Sequence, residues 1–241
     1  MSITSLVALC FLPVITVFAF VAFLQNDKRI LRYVVPCFFG ILTVIPASFI
    51  QFFVLKIPVF SSSTFISILI TSIIFNGLIE ETFKLIFIML MPKKNLTLAT
   101  FLISSILLGM SSGAVETLIY VLGSLQKISS IADTNSILKL ILMRIFSAQL
   151  IHAFCAGLLG TFAWQRRNGR QNFTPIAYAV VLHGFYNFFI AFSSGFRWFA
   201  AVSILMAAVE CRIWYQSAKN SKNSSKNQIL QLTQSDENSS L

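Results

Sequence analysis

Seven ionisable side chains, Glu80, Glu81, Lys84, Glu116, Arg144, His152 and His183, interrupt stretches of this chain that are otherwise almost wholly apolar. Both of its 2 histidines are in that set. Ser72, Asn76, Glu80 and Lys84 recur at every fourth position, which on an α-helix makes one polar stripe. Neighbouring helical residues diverge by about 100°, so Glu80 and Glu81 cannot both point straight into one cavity. One can face it while the other braces an adjoining helix. His183 and Asn187 stand one turn apart in HGFYN, as do Glu116 and Tyr120. Arg144 and His152 fall within about 80° of one helical face. Carboxylates and imidazoles move protons near neutral pH, imidazoles and carboxylates also bind metals, and a carboxamide can hold a developing oxyanion. The inventory suits hydrolysis. Each residue alone also has a plainer explanation: a Glu80–Lys84 pair that locks packing, with Glu81 capping a neighbour, or a hydrogen-bonded core histidine. Seven together strain that explanation, because an ionised side chain at a bilayer centre costs roughly 2.5–3.5 kcal/mol on insertion scales.

The elements that must position these groups are membrane spans. Of 241 residues, 56% are apolar and only 11% charged, against about 25% charged in soluble domains. Mean hydropathy is +0.82. The expected fold is an all-α, polytopic membrane helix bundle of seven transmembrane helices, at 3–24, 34–55, 64–91, 97–124, 137–164, 174–193 and 196–216. The strand alternation of a membrane β-barrel is missing. Met91-Pro92 should end span three, Thr174-Pro175 should start span six, and Ser193-Ser194-Gly195 should turn into span seven. Residues 1–216 form the membrane domain in this reading. Residues 217–241, rich in Ser, Asn, Gln and Lys, form a polar, disordered cytoplasmic tail. The net charge of +10 is spread over short loops, which argues against nucleic acid and sets orientation instead. Lys28, Arg29, Arg32, Lys93, Lys94, Arg166, Arg167, Arg170, Arg212, Lys219, Lys222 and Lys226 fall on one side, and Lys56, Lys127, Lys139 and Arg197 on the other. That bias puts the N-terminus outside and the C-terminus in the cytoplasm. The cysteines Cys10, Cys37, Cys155 and Cys211 lie in or beside apolar runs without CxxC spacing and should be inert thiols.

A rise of 1.5 Å per residue puts Glu80 and His152 about 18 Å from the cytoplasmic ends of their spans and His183 about 14 Å, in one layer. The same count puts Glu116 and Arg144 nearer 30 Å, which would pair them with each other, unless tilt brings Glu116 down to the first layer. Gly109-Met110-Ser111-Ser112-Gly113, just before Glu116, offers a small-residue face for close helix approach beside the cavity.

Four segments in order, EETFK at 80–84, GMSSGAVETLIY at 109–120, RIFSAQLIHAFCAGLLG at 144–160 and HGFYN at 183–187, resemble the hallmarks of the PrsW family of intramembrane proteases. Thr117 departs from the pattern, standing where that family usually has asparagine. The double glutamate and final HxxxN also resemble the CAAX prenyl endopeptidases of the wider superfamily. The resemblance implies an intramembrane endopeptidase, multi-pass in the cell (inner) membrane, that cleaves a membrane-embedded protein or peptide substrate in or next to its embedded segment. The catalytic residues it implies are Glu80, Glu81, Glu116, His152, His183 and Asn187. Either of Glu80 and Glu81 could be the base. Either histidine could hold water or oxyanion, with Asn187 assisting and Glu116 completing the wall or sharing the proton. A metal, zinc foremost, could be held by ligands drawn from Glu80, Glu116, His152 and His183. With no HExxH in the chain, the balance leans slightly to a metal-free glutamate mechanism. The rival is a non-catalytic scaffold resembling the multi-span scaffold subunit of γ-secretase, which also carries histidines on spans five and six but lacks the double glutamate.

Overall fold

A computed structural model of the chain describes residues 2–25, 31–54, 56–57, 64–92, 96–127, 134–192 and 194–239. Lys28, Arg29, Lys93, Lys94 and Ser193 lie outside the described residues. The helices are α1 (Ile3–Gln25), α2 (Leu31–Val54), α3 (Phe65–Ile70), a π-helical segment π1 (Thr71–Leu78), α4 (Ile79–Leu90), α5 (Leu98–Lys127), α6 (Thr134–Ile145), α7 (Ala148–Arg167), α8 (Thr174–Phe192) and α9 (Arg197–Ser239). No strand occurs among the described residues. In hydrocarbon a helix is the way for an open chain to satisfy its own backbone groups, and the all-helical architecture follows from that. Among the described residues, six segments are long and apolar enough to cross a membrane: Ile3–Leu24, Arg32–Val54, Leu98–Gln126, Asn135–Arg167, Thr174–Phe192 and Arg197–Ser221. The expected third span is the run Phe65–Leu90, which is helical throughout but changes from α to π and back.

The proline boundaries fall where the sequence puts them. α4 stops at Leu90, and Met91 takes an extended ψ of 143° ahead of Pro92, as a residue before proline must. Arg167 closes this end. Its guanidinium donates to the carbonyls of Ile88 (3.3 Å), Met89 (3.2 Å) and Met91 (3.2 Å) and lies over the Phe101 ring. α8 starts at Thr174, one residue before Pro175. α9 continues past Gln216, the expected end of the membrane domain, to Ser239. No glycine or proline follows Gly195 to break it.

Two departures from regular α-helix matter for the site. The expected span 137–164 is broken at Phe146-Ser147 into α6 and α7. Tyr186 on α8 pins the break by donating its hydroxyl to Ser147 Oγ at 3.0 Å, and Ser147 in turn donates to the Met143 carbonyl at 2.7 Å. The second departure is π1. It lies backbone to backbone against α8, and glycine permits this on both sides. A Cβ on Gly77 would stand 2.5 Å from the Val180 carbonyl, and one on Gly184 would stand 2.7 Å from Ile73 Cα. The GMSSG face of α5 does the same against α7. A Cβ on Gly109 would overlap the His152 carbonyl and stand 2.7 Å from Ala156 Cβ, while one on Gly113 would stand 2.9 Å from Gln149 Cα. α1 is tied in by Gln149, whose amide donates to the Cys10 carbonyl at 2.8 Å. All four cysteines are free, with Cys10, Cys155 and Cys211 buried.

Candidate active site

The glycine contacts bring α4, α5, α7 and α8 close enough for their polar residues to meet in the middle of the bundle. The rings of His152 and His183 lie edge to face, centroids 4.6 Å apart. Behind them sits a buried ion pair, Lys84 Nζ to Glu81 Oε1 at 2.6 Å, with both residues only 1% exposed. This pair grips both imidazoles by the same edge. Lys84 Nζ is 2.6 Å from His152 Nδ1, and Glu81 Oε1 is 2.6 Å from His183 Nδ1. An ammonium only donates and a carboxylate only accepts. His152 Nδ1 therefore accepts, while His183 Nδ1 donates, which in the neutral ring leaves Nε2 with its lone pair.

The opposite edges of the rings turn toward the other two glutamates. His183 Nε2 is 3.8 Å from Glu80 Oε2. His152 Nε2 is in hydrogen-bond contact with Glu116 Oε2, whose other oxygen accepts from Arg144 Nη2 at 2.9 Å. The Arg144 guanidinium also stacks 3.8 Å over Tyr120. Thus Glu116 meets both of the partners that the depth count left as alternatives. Glu80, Glu116, His152 and Asn187 line one cavity of about 240 Å³. Glu81 lies behind it, so the adjacent carboxylates divide as the 100° offset demands: one faces the cavity and one braces.

The plainer alternative of a Glu80–Lys84 pair does not form; Lys84 pairs with Glu81. All three residues lie in α4, where Lys84 is one turn from either carboxylate, three residues from Glu81 and four from Glu80. Glu80 instead accepts from Gln51 of α2 at 2.8 Å. Sequence reasoning passed over Gln51; an uncharged amide within an apolar span was the signal available. Thr117 is fully buried, and its hydroxyl donates to the Gly113 carbonyl at 2.7 Å, one turn back on its own helix.

Glu80, His152 and His183 each offer a ligand atom, and those atoms lie within 4.8 Å of one another. Two imidazoles and a carboxylate are the protein ligand set of a catalytic zinc site that keeps one position open, and the carboxylate behind His183 is the usual outer support of such a ligand. Glu116, also a metal candidate from sequence, falls outside that set but touches His152. The donor chemistry fits a divalent metal.

A model of the PrsW family of intramembrane metalloproteases matches residues 29–211. The chain belongs to that family. It is a multi-pass membrane protein and an intramembrane protease, and a protease of this kind acts on membrane-embedded substrates within a lipid bilayer. The scaffold alternative is not favoured. Neither the curated proteins nor the solved structures contain a match to the chain.

Proposed function

We propose that this PrsW-family chain hydrolyses a peptide bond in or next to a membrane-embedded segment at the cavity between α2, π1, α4, α5, α7 and α8. The observation that carries the reading is the mutual approach, within 4.8 Å, of ligand atoms from Glu80, His152 and His183. These three residues would hold a divalent metal, which supplies Lewis acidity toward the scissile carbonyl and acidifies water at neutral pH. Glu81 and Lys84 hold the two imidazoles by Nδ1 and set the direction of each Nε2. Glu116, oriented by Arg144, accepts the hydrogen bond of His152 Nε2 and would hold that ring in place beside the metal. Glu116 lines the cavity, so it can also take a proton from water and return it to the leaving amine. Asn187, one turn beyond His183 on the same cavity, offers carboxamide N–H groups to the developing oxyanion. The site lies in the cell (inner) membrane in this reading.

The test is cleavage of a panel of single-span substrates by purified protein in liposomes, with metal content measured in parallel. Chelation should abolish cleavage and zinc should restore it. Glu80→Gln and His183→Ala should each lose bound metal and at least about a hundredfold in rate, the scale of acid–base catalysis. Full activity after complete chelation would return the reaction to a metal-free glutamate mechanism. Parental rates in Glu80→Gln would remove Glu80 from the chemistry.

A further inference from the structure

The groups given a part in the proposed chemistry come from α4, α5, α6, α7 and α8, yet one wall of the cavity is α2. Gln51 sits there between Phe49, Ile50, Phe52 and Phe53, all of which are exposed on the bundle's outer face. Gln51 itself is turned inward and lines the cavity beside Glu80 and Asn76. A primary amide in a hydrocarbon layer costs several kcal/mol without partners, and Gln51 finds three. Its Nε2 is 2.8 Å from Glu80 Oε1, 3.2 Å from the Phe75 carbonyl and 3.4 Å from Asn76 Oδ1. The amide has two N–H groups. The short, charge-assisted bond goes to the carboxylate, and the second N–H is shared between the two acceptors on π1.

The geometry matters because the last torsion of a glutamate is soft. A terminal sp³–sp² rotor has broad wells, so a carboxylate keeps one orientation only when its oxygens are held. Gln51 holds Oε1 of Glu80, and Oε2 is the oxygen that faces His183 Nε2. The same amide ties that carboxylate to the backbone of π1, where the helix changes winding just ahead of Glu80.

We infer that Gln51 is a positioning residue of the site: its amide clamps the Glu80 carboxylate to the π-helical segment and keeps Oε2 aimed at His183. The inference rests on the proposed role of Glu80 at the reacting centre. The competing explanation is that Gln51 merely glues α2 to π1.

The two differ in what Gln51→Met does, since methionine keeps the length and loses both N–H groups. Four purified proteins in liposomes suffice: parent, Gln51→Met, Glu80→Gln and the double variant. They are compared by kcat, KM, melting temperature and Zn²⁺ affinity, the last by competition with a chromophoric chelator. A positioning role predicts that Gln51→Met melts close to the parent and keeps KM within about twofold. Its kcat and Zn²⁺ affinity should each fall about 10- to 100-fold, the range for groups that orient a metal ligand. On the Glu80→Gln background the second substitution should add almost nothing. Gln51→Asn, which keeps the amide but falls one methylene short, should show the same losses and serves if the methionine variant does not fold. A lower melting temperature with unchanged kcat and Zn²⁺ affinity would reduce Gln51 to packing and overturn the inference. So would a raised KM at constant kcat, which would make it a substrate contact. If Glu80→Gln itself keeps parental activity and Zn²⁺ affinity, the proposed site fails. Dependence on Glu80 with indifference to Gln51 overturns this inference alone.

Discussion

Replacing Lys84 with methionine removes one member of the buried ion pair with Glu81. Lys84 is 1% exposed, and its ammonium stands 2.6 Å from both Glu81 Oε1 and His152 Nδ1. Methionine fills nearly the same volume without charge or donors. In Lys84→Met the Glu81 carboxylate, also 1% exposed, keeps only the His183 contact among those the structure gives it, and its Oε2 already lacks a partner. Breaking a buried ion pair from one side costs about 3–5 kcal/mol, whereas replacing both members with neutral groups of similar volume is often close to neutral. Lys84→Met should therefore lose about 3–5 kcal/mol, and adding Glu81→Gln should recover about 2–4 kcal/mol of it. At about 1.4 kcal/mol per tenfold, the first loss exceeds a hundredfold in the folded-to-unfolded ratio. The assay is reversible unfolding in mixed micelles with rising SDS fraction, run on the parent, both single variants and the double. Proteolysis should stay lost in the double variant, because His152 Nδ1 still has no donor. The reasoning is refuted if Lys84→Met unfolds with the parent, or if the two single losses simply add.

Two further outcomes are expected. Gly109→Val should destabilise the protein by about 1–3 kcal/mol, the usual cost of overpacking, and cut proteolysis through displacement of α7, since a side chain there meets the His152 backbone; the same unfolding titration checks it, and a parental midpoint with parental activity would show that α5 and α7 are not in contact. On orientation, the lysine and arginine bias places Asn168 in the cytoplasm and Ser129 outside. In a background lacking the four native cysteines, a cysteine at 129 should react with an impermeant maleimide added to intact cells while one at 168 stays protected, and the reverse pattern would invert the whole topology.

The sequence carried more of the fold than of the site. Apolar runs mark the helices and Pro92 and Pro175 mark two of their ends, because backbone satisfaction in hydrocarbon leaves helix as the solution, although Pro13, Pro36 and Pro46 stay inside α1 and α2. The approach of α5 to another helix was legible in GMSSG for an equally local reason: residues without side-chain bulk leave a groove. Glu80 and Glu81 had to diverge, since adjacent residues on any helix do. The four ordered motifs carried the family, and the match over residues 29–211 bears that out.

What remained hidden depends on rotation and on pairing between helices. A periodicity count assumes about 100° per residue, so it could not register the π winding before Glu80, and Lys84 lies within one turn of both glutamates, so spacing alone does not choose between them. The break at Phe146-Ser147 is held by a hydroxyl from α8, 39 residues away in sequence, and nothing in the local sequence of span five demands it. Depth counts placed Arg144 and His152 in different layers, yet Glu116 reaches both, because a glutamate has two oxygens and a flexible stem. Gln51 escaped notice because its importance lies in the carboxylate it meets and not in its own type. Local chemistry along the chain determined which groups were present and roughly how deep they lie; only the packing of five separate spans decided which atoms meet, because contacts between helices turn on rotations and tilts that no single segment encodes.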